Sequence, residues 1–215
     1  MPERVKPKRR YDSSRRRAQA EATRLDILDA AQRLFERRGY AATTMEAIAA
    51  EAGVALKTVY VAFETKSGLL RALWNHLLRA GRDAVPVAQQ EWYRDVLAAG
   101  DAGEQVRMTA AASRAVKERI AGVLEVIRSA APTDADIAAL WNRIQTEFHA
   151  NQRAIVESLA AKQALRSELD VDRATDILWT LNHPNVWQLL VDERGWTPEH
   201  YERWFAETVR AQLLG

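Results

Sequence analysis

Two neighbouring residues in the first third of the chain, Lys57 and Thr58, carry side chains suited to reading DNA bases. A lysine donates hydrogen bonds to the O6 and N7 acceptors of guanine, and the methyl group of a threonine can contact the methyl group of thymine. Both residues follow Leu56 at the start of a short helical pattern over residues 56–63. We therefore expect Leu56, Lys57 and Thr58 to contact double-stranded DNA.

The N-terminus concentrates positive charge. Residues 1–17 contain eight basic and two acidic residues, so the remainder of this chain of net charge +2 carries a net charge of −4. Arg15, Arg16 and Arg17 could neutralise phosphates or enter a minor groove. With few apolar side chains to offset the entropy of ordering, residues 1–20 are predicted to form a flexible basic arm. A solvated tail that only aids solubility is the alternative.

Composition limits the other classes of function. The 215 residues include no cysteine, and the four histidines lie far apart, so neither disulfides nor a structural metal site is expected. No nucleophile with a base, metal cluster or phosphate-binding glycine loop is visible, and we expect neither an enzyme nor a cofactor. Without a signal-peptide pattern or an apolar stretch of about 18 residues, the sequence predicts a cytoplasmic protein with no membrane partner.

The elements that position Lys57 and Thr58 follow from helical periodicity along the whole chain, with no segment of strand-like alternation. The fold class is therefore predicted to be all-α. Helices are expected at residues 21–38, 44–51, 56–63, 66–77, 88–98, 104–130, 133–148, 171–193 and 198–214.

The second and third predicted helices form a recognisable pair. Thr43 is expected to cap the second helix, with Glu46 reaching back to it, and Gly53 lies in the turn that follows. Two short helices joined by a glycine-containing turn are typical of a helix-turn-helix, in which the first helix braces the second in the major groove.

The segment around this pair resembles the tetracycline-repressor family of bacterial regulators, over about residues 23–77. The resemblance rests on residues 43–49, 52–54, 57–60, 63, 66, 69 and 70. It implies an N-terminal DNA-binding domain (residues 21–66) and a larger helical domain for effector binding and dimerisation (residues 67–215). It also implies a homodimer that represses transcription at a palindromic operator and is released by a small molecule, although activation would use the same DNA chemistry.

The resemblance extends to individual DNA contacts. It implies that Tyr60, Lys66, Thr43 and Thr44 hold phosphates, the threonines at a helix start where free N–H groups also attract anions. Core packing is the alternative for Tyr60. Ala55 departs from the family pattern, which commonly has a serine cap there, and the structure of that helix start is therefore in question.

An effector pocket in the larger domain is expected to use aromatic and soft apolar side chains with few polar groups, which suits a largely apolar or aromatic ligand. Aromatic residues at helical spacing are also typical of plain core, and the His183-Pro184 step could be a helix kink without a ligand role. The predicted pocket residues are Met108, Trp141, Phe148, His149, Trp179, His183 and Trp187.

The two C-terminal helical patterns are apolar enough to require cover, which a second copy could supply through a four-helix interface. The alternative is that these faces close the chain's own core. The predicted interface residues are Ile177, Leu181, Leu189, Tyr201, Trp204, Phe205 and Thr208. A different reading of the whole chain is an architectural protein that binds DNA through its basic arm without sequence preference.

Overall fold

A computed structural model describes residues 13–78 and 85–215, and within these ranges the secondary structure is helical, apart from one isolated bridge between Leu165 and Leu214. The all-α prediction is confirmed. None of the helices in the described ranges is long and apolar enough to cross a membrane. The helices are α1 (Ser13–Ala42), α2 (Met45–Glu51), α3 (Leu56–Phe63), α4 (Lys66–Leu78), α5 (Glu91–Ala98), α6 (Ala102–Ala130), α7 (Ala135–Ala161), α8 (Val171–Leu181), α9 (Pro184–Trp187) and α10 (Pro198–Leu213).

Helix α1 begins at Ser13, eight residues before the predicted start at residue 21. Arg15, Arg16 and Arg17 therefore lie on its first turns, although residues 1–12 of the predicted arm lie outside the described residues. Gly39 interrupts the helical backbone with φ +74°, a conformation that favours glycine, as expected for the end of the first helix. The chain then turns into α2.

The first hydrophobic cluster joins α1, α2 and α3 through fully buried side chains such as Phe35, Ile48 and Val59. This cluster continues into α4, where Leu69 and Leu73 are buried in it. The core of the DNA-binding unit thus extends beyond the expected boundary at residue 66.

Helix α6 connects two cores. Its C-terminal half contributes Ile120 and Ile127 to the first cluster, where it packs against α1 and α4. Its N-terminal half contributes Val106 and Ala110 to a second cluster with α7, α8 and α10. One continuous helix therefore runs from the base of the N-terminal unit into the C-terminal unit.

The predicted helix over residues 171–193 is broken. Helix α8 ends at Leu181, and His183 caps α9 by accepting a hydrogen bond on Nδ1 from the N–H of Asn185. Helix α9 continues into a π-helical turn, Gln188–Glu193. Proline cannot donate an N–H and is favoured at a helix start, so Pro184 begins a new helix.

Candidate DNA-binding surface and effector cavity

Helix α3 has one buried and one exposed face. Val59 is inaccessible and Phe63 is 6% exposed, and both anchor the helix in the first cluster. On the opposite side, Lys57 is exposed, Tyr60 is 43% exposed and Val61 is 76% exposed. Large apolar side chains with this exposure on an anchored helix are suited to contact with base edges, including thymine methyl groups.

Arg24 on α1 fixes the end of α3. Its guanidinium lies over the Phe63 ring, 4.4 Å from the ring centre, and donates to the carbonyl oxygen of Ala62 at 3.1 Å. The other end is less constrained, because Ala55 precedes α3 without a side-chain cap. The exposed face of α3 is thus held by buried contacts and by Arg24.

The cap of α2 is Thr44 and not Thr43. The Thr44 hydroxyl accepts a hydrogen bond from the N–H of Ala47 at 3.2 Å, and the side chain is exposed. Thr43 is fully buried, and its hydroxyl donates to the carbonyl oxygen of Gly39 at 2.8 Å. The prediction of a phosphate contact from the Thr43 side chain is therefore wrong, because burial turns it towards α1.

Lys66 also differs from its prediction as a phosphate ligand. Its ammonium donates to the carbonyl oxygens of Tyr40 at 2.8 Å and Thr43 at 3.0 Å, and it lies 4.2 Å from the centre of the Tyr40 ring. Burial lowers the pKa of Lys66. Lys66 ties the start of α4 to the corner between α1 and α2, where the Tyr40 carbonyl oxygen also accepts a hydrogen bond from the N–H of Thr43 at 3.3 Å.

Two further hydrogen bonds join this corner to the N-terminus of α7. The Tyr40 hydroxyl donates to Asp134 at 2.7 Å, and the Ser67 hydroxyl donates to Asp136 at 3.0 Å. The bond from Tyr40 lowers the pKa of Asp134, and burial of the tyrosine raises the pKa of Tyr40 well above its usual value. The helix-turn-helix is therefore linked by polar contacts to the domain behind it.

The structure brings the basic start of α1 close to α3. Arg15, Arg16 and Arg17 are exposed. A surface groove between the two helices is lined by Arg16 and Arg17 on one side and by Thr58 and Val61 on the other. Positive charge thus flanks the exposed face of α3.

A cavity of about 120 Å³ lies in the C-terminal unit, between α4, α5, α6 and α7 and closed by the α8–α9 junction. Its walls are mainly apolar and aromatic, and two of its lining residues, Trp74 and Leu78, belong to α4. Representative lining residues are Trp74, Leu78, Trp92, Tyr93, Ile120 and Phe148.

One side of the cavity is polar and fully enclosed. Lys117, Ser113, Asn182 and Gln152 are all buried and all line the cavity. The Lys117 ammonium donates to Ser113 Oγ and to Asn182 Oδ1, and the Asn182 amide donates to Gln152 Oε1 at 2.9 Å. Burial lowers the pKa of Lys117 to about 7. A buried ionisable amine thus lies on the polar side of a cavity whose other walls are mainly apolar.

The sequence pattern missed Lys117, although a signal was present. Lys117 lies in the stripe of α6 that also contains Ala110, Ser113, Ile120 and Leu124, at alternating spacings of three and four residues. A lysine inside an otherwise apolar or small-residue stripe predicts a buried charge, which is rare without a function or a partner.

Of the predicted pocket residues, only Phe148 lines the cavity. Trp187 is buried against Tyr201 at a ring distance of 4.9 Å, and the His149 side chain is directed towards Asp176. His183 contacts Phe148 and Trp179 from outside the lining. Trp187, Trp141 and Met108 pack in or against the two hydrophobic clusters, so Phe148 alone of the predicted pocket residues lines this cavity.

The predicted dimer-interface residues fall into two groups, those buried in the chain's own core and those at its surface. Tyr201 and Phe205 are fully inaccessible in the chain's own core, so they cannot contact a partner, and that part of the prediction is wrong. Ile177, Leu181 and Thr208 instead line a shallow groove on the outer side of α8 and α10. Of the remaining two residues, Trp204 is half-buried and Leu189 is 52% exposed.

The described residues thus form a braced helix-turn-helix on a helical domain with an internal cavity. Residues 27–73 match the bacterial regulatory proteins of the tetR family. This match covers the helix-turn-helix and confirms the resemblance inferred from residues 43–70.

Individual relatives agree with this assignment. The transcriptional regulator TtgR of Pseudomonas putida is 41% identical over 63 residues, 29% of this chain and 30% of TtgR, so the chain matches less than a third of that relative's length. NalD, the secondary repressor of the MexAB-OprM efflux pump in Pseudomonas aeruginosa, has the same fold with a TM-score of 0.67 and 20% identity over 91% of this chain and 98% of NalD.

A transcriptional regulator from Saccharomonospora viridis, solved in complex with choline, superposes with a TM-score of 0.70. It is 18% identical and covers 91% of this chain and 99% of that protein. The shared fold therefore includes the C-terminal domain.

Proposed function

We propose that this protein is a DNA-binding transcriptional repressor, and not an enzyme, that a small-molecule effector releases from a palindromic operator. The observation that carries the proposal is the exposed face of α3, where Lys57, Tyr60 and Val61 project from a helix anchored by Val59 and Phe63. A helix presented in this way fits the major groove, which is about 12 Å wide. Such a protein acts in the cytoplasm.

The DNA contacts follow from exposure. Lys57 and Thr58 read bases, with Leu56 packed beneath them, while Thr44 and Tyr60 contact phosphates. Arg15, Arg16 and Arg17 extend the positive surface along the groove between α1 and α3. Thr43 and Lys66 support this surface from behind and are not among its contacts.

Recognition of a palindrome requires two copies. The outer groove of α8 and α10, with Ile177, Leu181 and Thr208, offers apolar surface to an identical face on a second chain. The two recognition helices of such a dimer must lie about 34 Å apart to enter successive major grooves. A small rotation of each DNA-binding domain is then enough to lose the operator.

Helix α4 supports the coupling between effector and DNA. Trp74 and Leu78 near its C-terminus line the cavity, and Lys66 at its N-terminus holds the α1–α2 corner. A ligand that displaces Trp74 therefore acts on the helix that supports the helix-turn-helix. The relative crystallised with choline supports the assignment of the cavity to a small organic molecule.

Selection of bound sequences from a random DNA pool tests the proposal. A repressor of this kind recovers a palindrome with half-sites about one helical turn apart. Substitution of Lys57 by alanine should then change the order of preference among the recovered sites. If the protein binds all DNA sequences with the same affinity, and the substitution weakens binding to all of them equally, the architectural alternative is established instead.

A further inference from the structure

Lys117 faces the cavity without an anionic partner. Its two hydrogen-bond acceptors, Ser113 Oγ and Asn182 Oδ1, carry no charge, and no carboxylate in the described part of the chain lies within ion-pair distance of its ammonium. An ammonium group has three donors, and two of them are used here; its other neighbours are the rings of Tyr201 and Phe205, whose centres lie 5.4 and 5.9 Å away and which offer no full hydrogen-bond acceptor. Burying a charge in this way is costly unless it is paired.

The ionisable groups that surround Lys117 do not supply the missing negative charge. Tyr93 on α5 and Tyr201 on α10 are neutral, because burial raises the pKa of Tyr93 to about 12 and that of Tyr201 further. Burial and the nearby Lys117 lower the pKa of His183, so the histidine is also neutral at pH 7. Glu147 on α7 lines the cavity but is exposed to solvent.

On α6 itself, the neighbouring charges are engaged or directed outwards. Arg114 forms ion pairs with Glu199 and Glu202 of α10. Glu118 is exposed to solvent. Among the residues that the structure describes, Lys117 is therefore the only enclosed ionisable group of this cavity wall that can carry charge near neutral pH.

We propose that the effector is an apolar molecule with one weakly acidic group, a carboxylate or a phenolate, and that this group binds to the Lys117 ammonium. The inference rests on the proposed function, since it assigns the chemical class of the effector that acts through this cavity. An anion here completes the hydrogen bonding of the ammonium and offsets its desolvation, and the aromatic and aliphatic walls receive the apolar body.

Three probes of equal chain length test this assignment with the full-length protein: octanoate, octan-1-ol and octylamine. Binding is measured at pH 6.5 by calorimetry and by the fluorescence of the tryptophans, two of which, Trp74 and Trp92, line the cavity. Octanoate should bind at least tenfold more tightly than octan-1-ol, and octylamine should bind most weakly. Equal or tighter binding of the alcohol or the amine, or the absence of binding by all three, overturns the proposal.

Lys117→Met removes the charge and keeps a side chain of similar length. Its preference for octanoate over octan-1-ol should disappear, while retained octan-1-ol binding shows that the cavity is intact. Lys162→Met is the matched control, because the Lys162 ammonium also donates to a hydroxyl and an amide oxygen, those of Ser158 and Gln105, and it does not line the cavity. A preference that survives in K117M, or is lost equally in K162M, refutes the role of Lys117.

The pH dependence gives a second readout. Lys117 loses its proton as pH rises through about 7, so octanoate binding must recover that proton. The dissociation constant for octanoate should therefore rise towards tenfold per pH unit above pH 7.5, while that for octan-1-ol stays constant. A flat octanoate profile contradicts the assignment.

The proposed function is tested separately, by adding octanoate to the complex with the selected operator. If octanoate binds through Lys117 but the protein stays on the operator, the proposed release by an effector is refuted, whereas the binding of an acidic ligand to Lys117 is supported. If the acid preference is missing while sequence-specific DNA binding is intact, only the assignment of the effector class fails.

Discussion

Substitution of Lys66 by methionine distinguishes a structural lysine from a phosphate ligand. In the structure, the Lys66 ammonium holds the carbonyl oxygens of Tyr40 and Thr43, which belong to the corner between α1 and α2. Methionine keeps most of the aliphatic side chain but removes both hydrogen bonds and the cation–π contact with Tyr40. We therefore expect the variant to lose stability without losing a contact with DNA.

The magnitude follows from the two bonds. Hydrogen bonds from a charged donor contribute about 1.5–3 kcal/mol each, and here the gain is reduced because the half-buried ammonium gives up part of its hydration. A net loss of about 2 kcal/mol is expected for K66M. For a chain of this length, that loss corresponds to a decrease in Tm of about 4–8 °C.

The assay pairs thermal unfolding with a salt titration of operator affinity. Lys57→Met is the matched control, since Lys57 is an exposed lysine of the same domain. K57M should leave the Tm within about 2 °C and change the order of preference among operator sites, whereas K66M should lower the Tm and leave both that order and the slope of affinity against salt unchanged. An unchanged Tm for K66M together with a flattened slope would refute the structural role and restore the phosphate contact.

Four further substitutions test other parts of the structure. Ala55→Ser supplies the missing cap of α3 and should raise the unfolding free energy by about 1 kcal/mol, as measured by urea denaturation, with Ala55→Val, which cannot accept a hydrogen bond, as the control. Tyr40→Phe removes the hydrogen bond to Asp134 and should lower the unfolding free energy by about 1 kcal/mol at pH 6. Because this bond lowers the pKa of Asp134 in the folded state, the difference in unfolding free energy between variant and wild type should shrink as pH falls below about 4. For Lys117, whose pKa is lowered on folding, the unfolding free energy of the wild type should rise relative to that of K117M between pH 7 and 10, and a constant difference would contradict burial of the amine. Leu181→Glu should convert the proposed dimer to a monomer in analytical ultracentrifugation and weaken operator binding, whereas a dimer that persists in this variant would exclude the α8–α10 groove as the interface.

The sequence allowed the local elements to be predicted well, because helical periodicity, glycine stops and capping residues act over a few neighbouring positions. The start of α3 at Leu56 and the end of the first helix at Gly39 are examples. The predicted cap at Thr43 was one residue off, because burial of Thr43 against α1 is a tertiary effect. Near Pro184 the sequence predicts at most a kink, whereas the structure has a break between α8 and α9.

The cavity could not be predicted, because its walls come from helices that are distant in sequence. Aromatic residues at helical spacing did not distinguish a lining residue such as Phe148 from a core residue such as Trp187. Tyr201 and Phe205 were misassigned for the same reason, since an apolar stripe shows that a face is covered but not which surface covers it. Lys117 was the informative exception, a charged residue where the stripe predicts an apolar one.

Helix α6 restricts how this protein could be recombined with others. Its second half packs into the N-terminal core through residues such as Ile120 and Ile127, although it lies far beyond the helix-turn-helix in sequence. A chimeric protein joined at residue 66 would place the DNA-binding domain of this chain on the α6 of another protein. The side chains of that helix would not match the surface of α1 and α4 against which Ile120 and Ile127 pack. Grafts that carry α4 and the second half of α6 along with the head should remain well folded, so the useful module for engineering is discontinuous in the chain.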